Sequence, residues 1–154
     1  MGFFDAIKSA VNMVTGGSAT VTMEVGARTP NGDYPVRVKA VVASGDLKIG
    51  RVYLKVEGHE TITYKHDDKP GTTTISSSEK HTQDANTAEI EVNIAPEQTL
   101  VATKEYSFEG TFRLPPDAQP TYTGKNAKHE WRVYAGLDAT GTDPASSWVA
   151  FKYP

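Results

Sequence analysis

The sequence of 154 residues has no cysteine, no excess of basic residues and no long apolar segment. The absence of cysteine excludes disulfide bonds and thiolate metal sites. Its 16 Lys and Arg residues are outnumbered by 19 Asp and Glu residues, which give a net charge of −3 and argue against binding of nucleic acid. The longest wholly apolar run is residues 40–43, whereas a membrane-spanning helix needs about 20 residues.

The N-terminus also lacks the pattern of a signal peptide, which is a basic segment followed by an apolar run and a small-residue cleavage site. Secretion by that route is therefore not expected. A chain of this length usually forms one domain. The sequence thus predicts a cytoplasmic protein whose core lies in a single domain.

Residues 1–15 predict a short amphipathic helix. Apolar side chains recur there at steps of one, three and four residues, so that they share one face. These residues are Phe3, Phe4, Ile7, Val11 and Val14. The glycines at 16 and 17 are typical of a helix end. We expect the apolar face to be an interaction surface that docks on the domain, with a homodimer contact or insertion into a membrane surface as alternatives.

Residues 18–154 alternate apolar and polar side chains at a period of two, which is typical of antiparallel strands with one buried face. We predict an all-β, immunoglobulin-like sandwich of seven to nine strands. The positions expected to face inward are Val36, Val38, Ala40, Val42, Val52, Leu54, Val56, Ile90, Val92, Ile94, Phe108, Gly110, Phe112, Leu114, Trp131, Val133, Ala135 and Leu137. Residues 72–87 have no clear period, and we predict a poorly ordered connection rather than an edge strand.

The proline-rich segment 115–124 separates two strongly alternating segments that carry large aromatic residues. Pro115, Pro116 and Pro120 cannot donate to a sheet ladder, so they end the preceding strand and stiffen a long connection. Gly124 allows a tight bend before the next strand.

This order of residues resembles the arrestin family, especially bacterial arrestin-like proteins related to sporulation-control proteins. The residues that carry the resemblance are Phe108, Gly110, Phe112, Leu114, Pro115, Pro120, Thr121, Tyr122, Gly124, Trp131, Val133, Ala135, Leu137 and Asp138. The resemblance implies a sandwich that acts as a scaffold without enzymatic activity. Arrestins have two such sandwiches, whereas this chain is long enough for one. Their paired phosphate-sensing lysines have no counterpart here.

No residue pattern indicates a catalytic, cofactor or metal site. The four histidines, at 59, 66, 81 and 129, are not spaced as metal ligands, and we expect them to be solvated or at the rim of the core. The segment "LDATGTDP" departs from the calcium-loop pattern, so its aspartates are expected to cap a turn. No serine stands in a G-x-S-x-G motif.

The sequence therefore favours a non-enzymatic adaptor or regulatory protein that binds an unknown protein partner through sheet edges or loops. A carbohydrate-binding module is the alternative, with Tyr34, Tyr53, Tyr64 and Tyr134 expected at outward positions. A cluster of these rings on one open face would favour sugar binding, and scattered rings would favour the adaptor. Peripheral membrane association through the N-terminal helix is a further alternative.

Overall fold

The computed structural model describes residues 13–15, 18–66 and 79–154, and these residues form strands and loops. The strands are β1 (Met13–Thr15), β2 (Ala19–Val25), β3 (Asp33–Val42), β4 (Leu47–His66), β5 (Glu79–Ala95), β6 (Gln98–Leu100), β7 (Glu105–Arg113), β8 (Tyr122–Thr123), β9 (Ala127–Ala139) and β10 (Val149–Phe151). The count exceeds the predicted seven to nine because four of these strands, β1, β6, β8 and β10, have only two or three residues. The described part of the chain contains no helix that could cross a membrane.

The strands form two antiparallel sheets, so the prediction of a β-sandwich is confirmed. The first sheet has the order β1-β2-β3-β7. The second has the order β10-β9-β4-β5, with β6 also pairing with β4 and β8 with β9. The long strand β4 lies in the middle of the second sheet, between β9 and β5.

The inner faces of the two sheets enclose one hydrophobic core. Most positions that were predicted to face inward are buried, namely Val36, Val38, Ala40, Val42, Val52, Leu54, Val56, Phe112, Leu114, Trp131, Val133, Ala135 and Leu137. The remaining predicted positions pack at the core boundary and are half-buried, namely Ile90, Val92, Ile94, Phe108 and Gly110. They are less covered because β5 and β7 are the edge strands of their sheets.

The proline-rich connection is held against the core by buried polar groups. The Trp131 indole N–H donates to the carbonyl of Gln119 at 2.8 Å. His129 lies 3.1 Å from the Pro120 carbonyl through Nδ1 and 2.6 Å from the Thr87 hydroxyl through Nε2. A carbonyl only accepts hydrogen bonds, so Nδ1 is the donor. His129 is fully buried, and the prediction that it is solvated or at the rim of the core was therefore wrong.

Two other sequence predictions need correction. Residues 79–87, predicted as part of a connection, form the first half of β5, because residues 79–86 pair with residues 59–66 of β4. Residues 80–87 are mostly exposed, so no buried face imposes a period on their sequence. Met13–Thr15, predicted as the end of a helix, form β1, which pairs with β2. The β-branched residues Val14 and Thr15 suit a strand once a sheet edge is available.

The rest of the predicted helix, with Phe3, Phe4, Ile7 and Val11, lies outside the described residues, and so does the side chain of Val14. The expected interaction surface of this segment therefore stays a prediction. The division into a segment 1–15 and a domain 18–154 also stays a prediction.

The contact between the edge strands β5 and β7 leads to a stability prediction. A Cβ atom at Gly110 would lie 2.5 Å from Cγ2 and 2.9 Å from Cβ of Ile94, which are too close to the backbone to move away easily. Gly110→Ala should therefore destabilise the fold by about 1–3 kcal/mol. Urea denaturation of the full chain measures this change.

Gly45→Ala is the matched control, because a Cβ atom at Gly45 meets nothing within 4 Å. We expect that substitution to be close to neutral. If Gly110→Ala and Gly45→Ala had equal midpoints of urea denaturation, the packing of β7 on Ile94 would be contradicted.

Candidate functional site

The outer face of the second sheet carries a groove between β4, β9 and the segment 143–148. Its volume is about 520 Å³. We call it the aromatic groove, and it is lined by Tyr53, Tyr134, Asp143, Ala145, Ser146, Ser147 and Trp148. It brings three large rings together at a surface, which is typical of binding sites.

The alternation of the two central strands places these rings outside the core. Val52 and Leu54 point inward, so Tyr53 between them points outward. The same rule places Tyr134 outward between the buried Val133 and Ala135. The two strands lie side by side, and the Tyr53 and Tyr134 ring centroids are 6.2 Å apart.

Tyr53 anchors one wall of the groove. Its hydroxyl donates to Asp143 Oδ2 at 2.9 Å, and Asp143 Oδ1 accepts from the Ala139 N–H at 3.1 Å. Asp143 thus closes the turn after β9, as the sequence predicted. The same prediction was wrong for Asp138, which lies within β9 and forms an ion pair with Arg51. The Tyr53 ring lies over Gly136, where a Cβ atom would collide with it. Burial, followed by the hydrogen bond to Asp143, raises the pKa of Tyr53.

The segment 143–148 is bonded to β9 along its length. The Leu137 N–H donates to the carbonyl of Pro144, and the Ser146 N–H donates to the carbonyl of Ala135, both at 2.9 Å. The buried Ser146 hydroxyl accepts from the Ala135 N–H at 2.9 Å and donates to the carbonyl of Ser147 at 3.0 Å. This wall of the groove is therefore fixed by main-chain geometry.

Trp148 completes the groove next to the start of β10. Its ring is perpendicular to that of Tyr134, with the centroids 4.6 Å apart. The Arg132 guanidinium lies 4.3 Å from the Trp148 centroid and is bonded to Glu57 Oε2 at 2.9 Å. Trp148 is 37% exposed although it is one of the largest side chains of the protein.

A second arginine lies at the opposite rim. The Arg51 guanidinium is 4.7 Å from the centroid of Tyr53 and donates to Asn93 Oδ1 at 2.7 Å. It also forms ion pairs with Glu91 and Asp138. The hydrogen bond to Glu91 has the largest effect on the pKa of Arg51 and raises it, and the bond to Asp138 acts in the same direction. Arg51 therefore stays charged. Asp138, one of the residues that carry the arrestin resemblance, thus lies on the rim of the groove.

The other residues of that resemblance do not line the groove, although the main chain of Ala135 and Leu137 bonds to its wall. Phe112, Leu114 and Trp131 are in the core, and Phe108 and Gly110 are at its boundary. Pro115, Pro120, Tyr122 and Gly124 belong to the connection between β7 and β9. The Tyr122 hydroxyl donates to Glu60 at 2.7 Å, and the Gly124 N–H donates to Ala127 at 2.7 Å. These contacts position the chain.

The tyrosines that were expected to face outward differ in position. Tyr34 is buried and stacks on Phe112, with ring centroids 5.0 Å apart, so its predicted exposure was wrong. Tyr53 is on the outer face but only 8% exposed, because the segment 143–148 covers it. Tyr64 is 49% exposed near the far end of β4, where it stacks on His81. Only Tyr53 and Tyr134 meet in one place.

Sequence reasoning missed Trp148 and Arg132 as site residues. Trp148 belongs to an irregular segment without a period, and Arg132 is an ordinary polar residue of an alternating strand. A run of large polar or aromatic residues at the outward positions of β4 and β9 was the available signal. Among the described side chains, no group of three or more His, Asp or Glu residues could hold a metal ion.

The fold that these sheets define is an arrestin-like β-sandwich. Its structure is similar to the crystal structure of Spo0M, the sporulation control protein from Bacillus subtilis, with a TM-score of 0.60 and 20% sequence identity. The similarity covers 88% of this chain and 49% of that chain, so this chain spans about half the length of Spo0M. No family model matches the sequence. No curated protein matches it either.

The anchor of the groove can be tested by removing one hydroxyl. Tyr53→Phe deletes a partly buried hydrogen bond to Asp143 and should lower the free energy of unfolding by about 1 kcal/mol. Tyr122→Phe makes the same chemical change at an exposed hydrogen bond to Glu60 and should cost less. Urea denaturation compares the two, and an equal or smaller loss for Tyr53→Phe would contradict the anchor.

The raised pKa of Tyr53 predicts loss of stability in alkali. An unfolded tyrosine ionises near pH 10, whereas the folded protein holds the Tyr53 proton to higher pH. Unfolding above about pH 10 therefore releases a proton, so the free energy of unfolding falls as pH rises through that range. Tyr34, whose pKa is raised mainly by burial, contributes in the same direction.

Tyr53→Phe removes one of these groups. Its free energy of unfolding should therefore fall less steeply between pH 9 and 11 than that of the unsubstituted chain. Urea denaturation at each pH provides the curves. Parallel curves for the two proteins would contradict this prediction, because they would show that Tyr53 has the same pKa in the folded and the unfolded chain.

Proposed function

We propose that the chain is a non-enzymatic, arrestin-like adaptor or regulatory protein that binds a protein partner in the aromatic groove. The observation that carries this proposal is the cluster of Trp148, Tyr134 and Arg132 on the outer sheet face. Tryptophan, tyrosine and arginine are the residues most enriched among those that dominate binding energy in protein interfaces.

The rigidity of the groove supports the same proposal. Binding costs free energy when side chains or loops must first be ordered. Here the Tyr53–Asp143 hydrogen bond and the main-chain bonds of Ser146 hold the wall in place. The ion pair between Arg132 and Glu57 restrains the arginine beside Trp148. A partner would therefore meet a surface that needs little reorganisation.

The chemistry of the groove favours binding over catalysis. Asp143 is the only carboxylate among the lining residues, and its two oxygens accept hydrogen bonds from Tyr53 and Ala139. A general base must reach the proton that it removes, and these bonds turn both oxygens of Asp143 towards the protein. The name of Spo0M, a sporulation control protein, agrees with a regulatory role for a protein of this fold.

A carbohydrate-binding module is the second candidate. Tyr53, Tyr134 and Trp148 meet on one face, which is the arrangement that favours sugar binding. However, Arg51 lies over the Tyr53 ring and Arg132 over the Trp148 ring, and these guanidinium groups reduce the ring surface on which a pyranose could stack. Protein binding is therefore preferred. Saturable binding on a glycan array that Trp148→Ala abolishes would reverse this order.

Association with a membrane surface or a second copy through residues 1–15 remains a separate proposal, as does location in the cytoplasm. The apolar residues of that segment are the reason for it. Flotation of the full chain with liposomes, compared with a chain that lacks residues 1–12, tests the membrane role, and light scattering of the same two proteins tests the dimer. Identical results for both proteins would exclude both roles.

The partner proposal predicts a site-specific loss of capture. The full chain, used as bait in a lysate of its source organism, should retain one or more proteins that Trp148→Ala no longer retains. Tyr64→Ala is the matched control, since Tyr64 is also an exposed aromatic residue but lies at the far end of β4. Quantitative mass spectrometry of the retained proteins gives the measurement.

Retention of the same proteins by Trp148→Ala and by the unsubstituted chain would place the partner site elsewhere. Loss of those proteins with Tyr64→Ala alone would point to the region around Tyr64, where the end of β4 pairs with the start of β5.

A further inference from the structure

We propose that one end of the second sheet docks on an anionic phospholipid membrane through a groove lined by lysines. This inference is independent of the partner proposed for the aromatic groove and goes beyond it. Its basis is the juxtaposition of three lysines with two exposed hydrophobic side chains. We call this surface the lysine groove, and its lining includes Ile62, Tyr64, Lys65, Lys80, Lys125 and Asn126.

The lysine groove forms where β4 continues past its neighbour β9. The register of β4 with β9 ends at Ile62 and Ala127, and the Thr63 N–H donates to the carbonyl of Asn126 at 2.7 Å. The pairing of β4 with β5 extends further, to His66. The groove, of about 460 Å³, therefore lies between the paired ends of β4 and β5 and the turn that joins β8 to β9.

Two strands and one turn bring the three lysines together. Lys65 and Lys80 are direct cross-strand partners, so their side chains leave the same face of the sheet. Like charges in directly opposite positions destabilise a sheet. Lys125 lines the same groove from the turn, and all three lysines are exposed. Proteins keep such locally unfavourable arrangements mainly at functional sites.

The positive charges of the lysine groove are not offset by a carboxylate. Within the described part of the chain, none of the three lysines forms an ion pair or a side-chain hydrogen bond. The acidic residues of the same strands have other partners: Glu60 accepts from the Tyr122 hydroxyl, and Asp84 lies 3.7 Å from His59. The whole chain has a net charge of −3, so this positive surface stands against the overall balance. It is complementary to an anionic surface.

The exposed hydrophobic side chains favour a membrane over an acidic protein segment. Tyr64 is 49% exposed and Ile62 is 41% exposed, and both lie beside the lysines. Tyrosine is enriched at the level of lipid headgroups, where its ring is partly buried and its hydroxyl stays hydrated. Binding to a membrane interface increases with the apolar area that is buried and with the attraction to anionic lipids. The lysine groove offers both.

Co-sedimentation of the full chain with phosphatidylcholine vesicles, with and without phosphatidylserine, tests the proposal. We expect binding only with phosphatidylserine, and added salt should weaken it because exposed charges are screened. Each lysine at an anionic surface contributes about fivefold to binding. Lys65→Gln together with Lys80→Gln should therefore weaken binding about 25-fold. The full chain includes Asp67 and Asp68 between β4 and β5, so their charges are present in every comparison.

Lys48→Gln together with Lys104→Gln is the matched control, because it removes the same charge from two exposed lysines outside the groove. This control pair should bind vesicles nearly as tightly as the unsubstituted chain. Urea denaturation of both double variants tests their folding. The groove pair should not lower the midpoint, since its substitution relieves a like-charge contact. Tyr64→Ser should also weaken vesicle binding, although it leaves the net charge unchanged.

The proposal is overturned if vesicles with phosphatidylserine do not retain the chain, or if the groove pair and the control pair lose binding equally. Unchanged binding of the groove pair would also overturn it, because another surface, such as residues 1–15, would then hold the chain on the vesicles. A labelled polyglutamate peptide tests the other class of ligand. If the groove lysines are needed for binding of the peptide but not of vesicles, the groove binds an acidic protein segment instead.

Discussion

The antiparallel pairing of β4 with β9 is the constraint on which the rest of the structure depends. It runs from Ile49 and Ala139 at one end to Ile62 and Ala127 at the other. Because successive side chains point to opposite faces, one register builds two surfaces. The inner surface supplies the centre of the core, including Trp131. The outer surface supplies the aromatic rings, and a slip by one residue would exchange the two sets.

The outer surface becomes a groove only because the chain after β9 turns back onto it. Asp143 joins the end of β9 to Tyr53, and Ser146 bonds to Ala135 at the middle of the strand. Trp148 then lies beside Tyr134, and the Arg132 guanidinium lies over the Trp148 ring. The residues that recognise a partner in our account are thus held by the same strand pair that closes the core. Stability and recognition are coupled through that pair.

The sequence predicted the core well where one face of a strand is buried. The alternation around Val36 identified β3, and the same parity would have placed Tyr34 inside had it been extended by two residues. The sequence pattern could not identify residues 80–87 as part of β5, because a segment that is exposed on both faces has no alternation of apolar and polar residues. It could not locate Trp148, because an irregular segment acquires its neighbours only through tertiary bonds. The arrestin resemblance indicated the fold, whereas its motif residues lie mainly in the core and the proline-rich connection.

The central claim is that the outer face of the β4–β9 pair is the surface that meets a partner. Photo-crosslinking in living cells tests it most directly, with p-benzoylphenylalanine in place of Ser147, which lines the groove, or in place of Thr111, which is exposed on β7 of the other sheet. The account predicts a discrete higher-mass adduct from position 147 that is absent from position 111. An adduct from position 111 alone would contradict it.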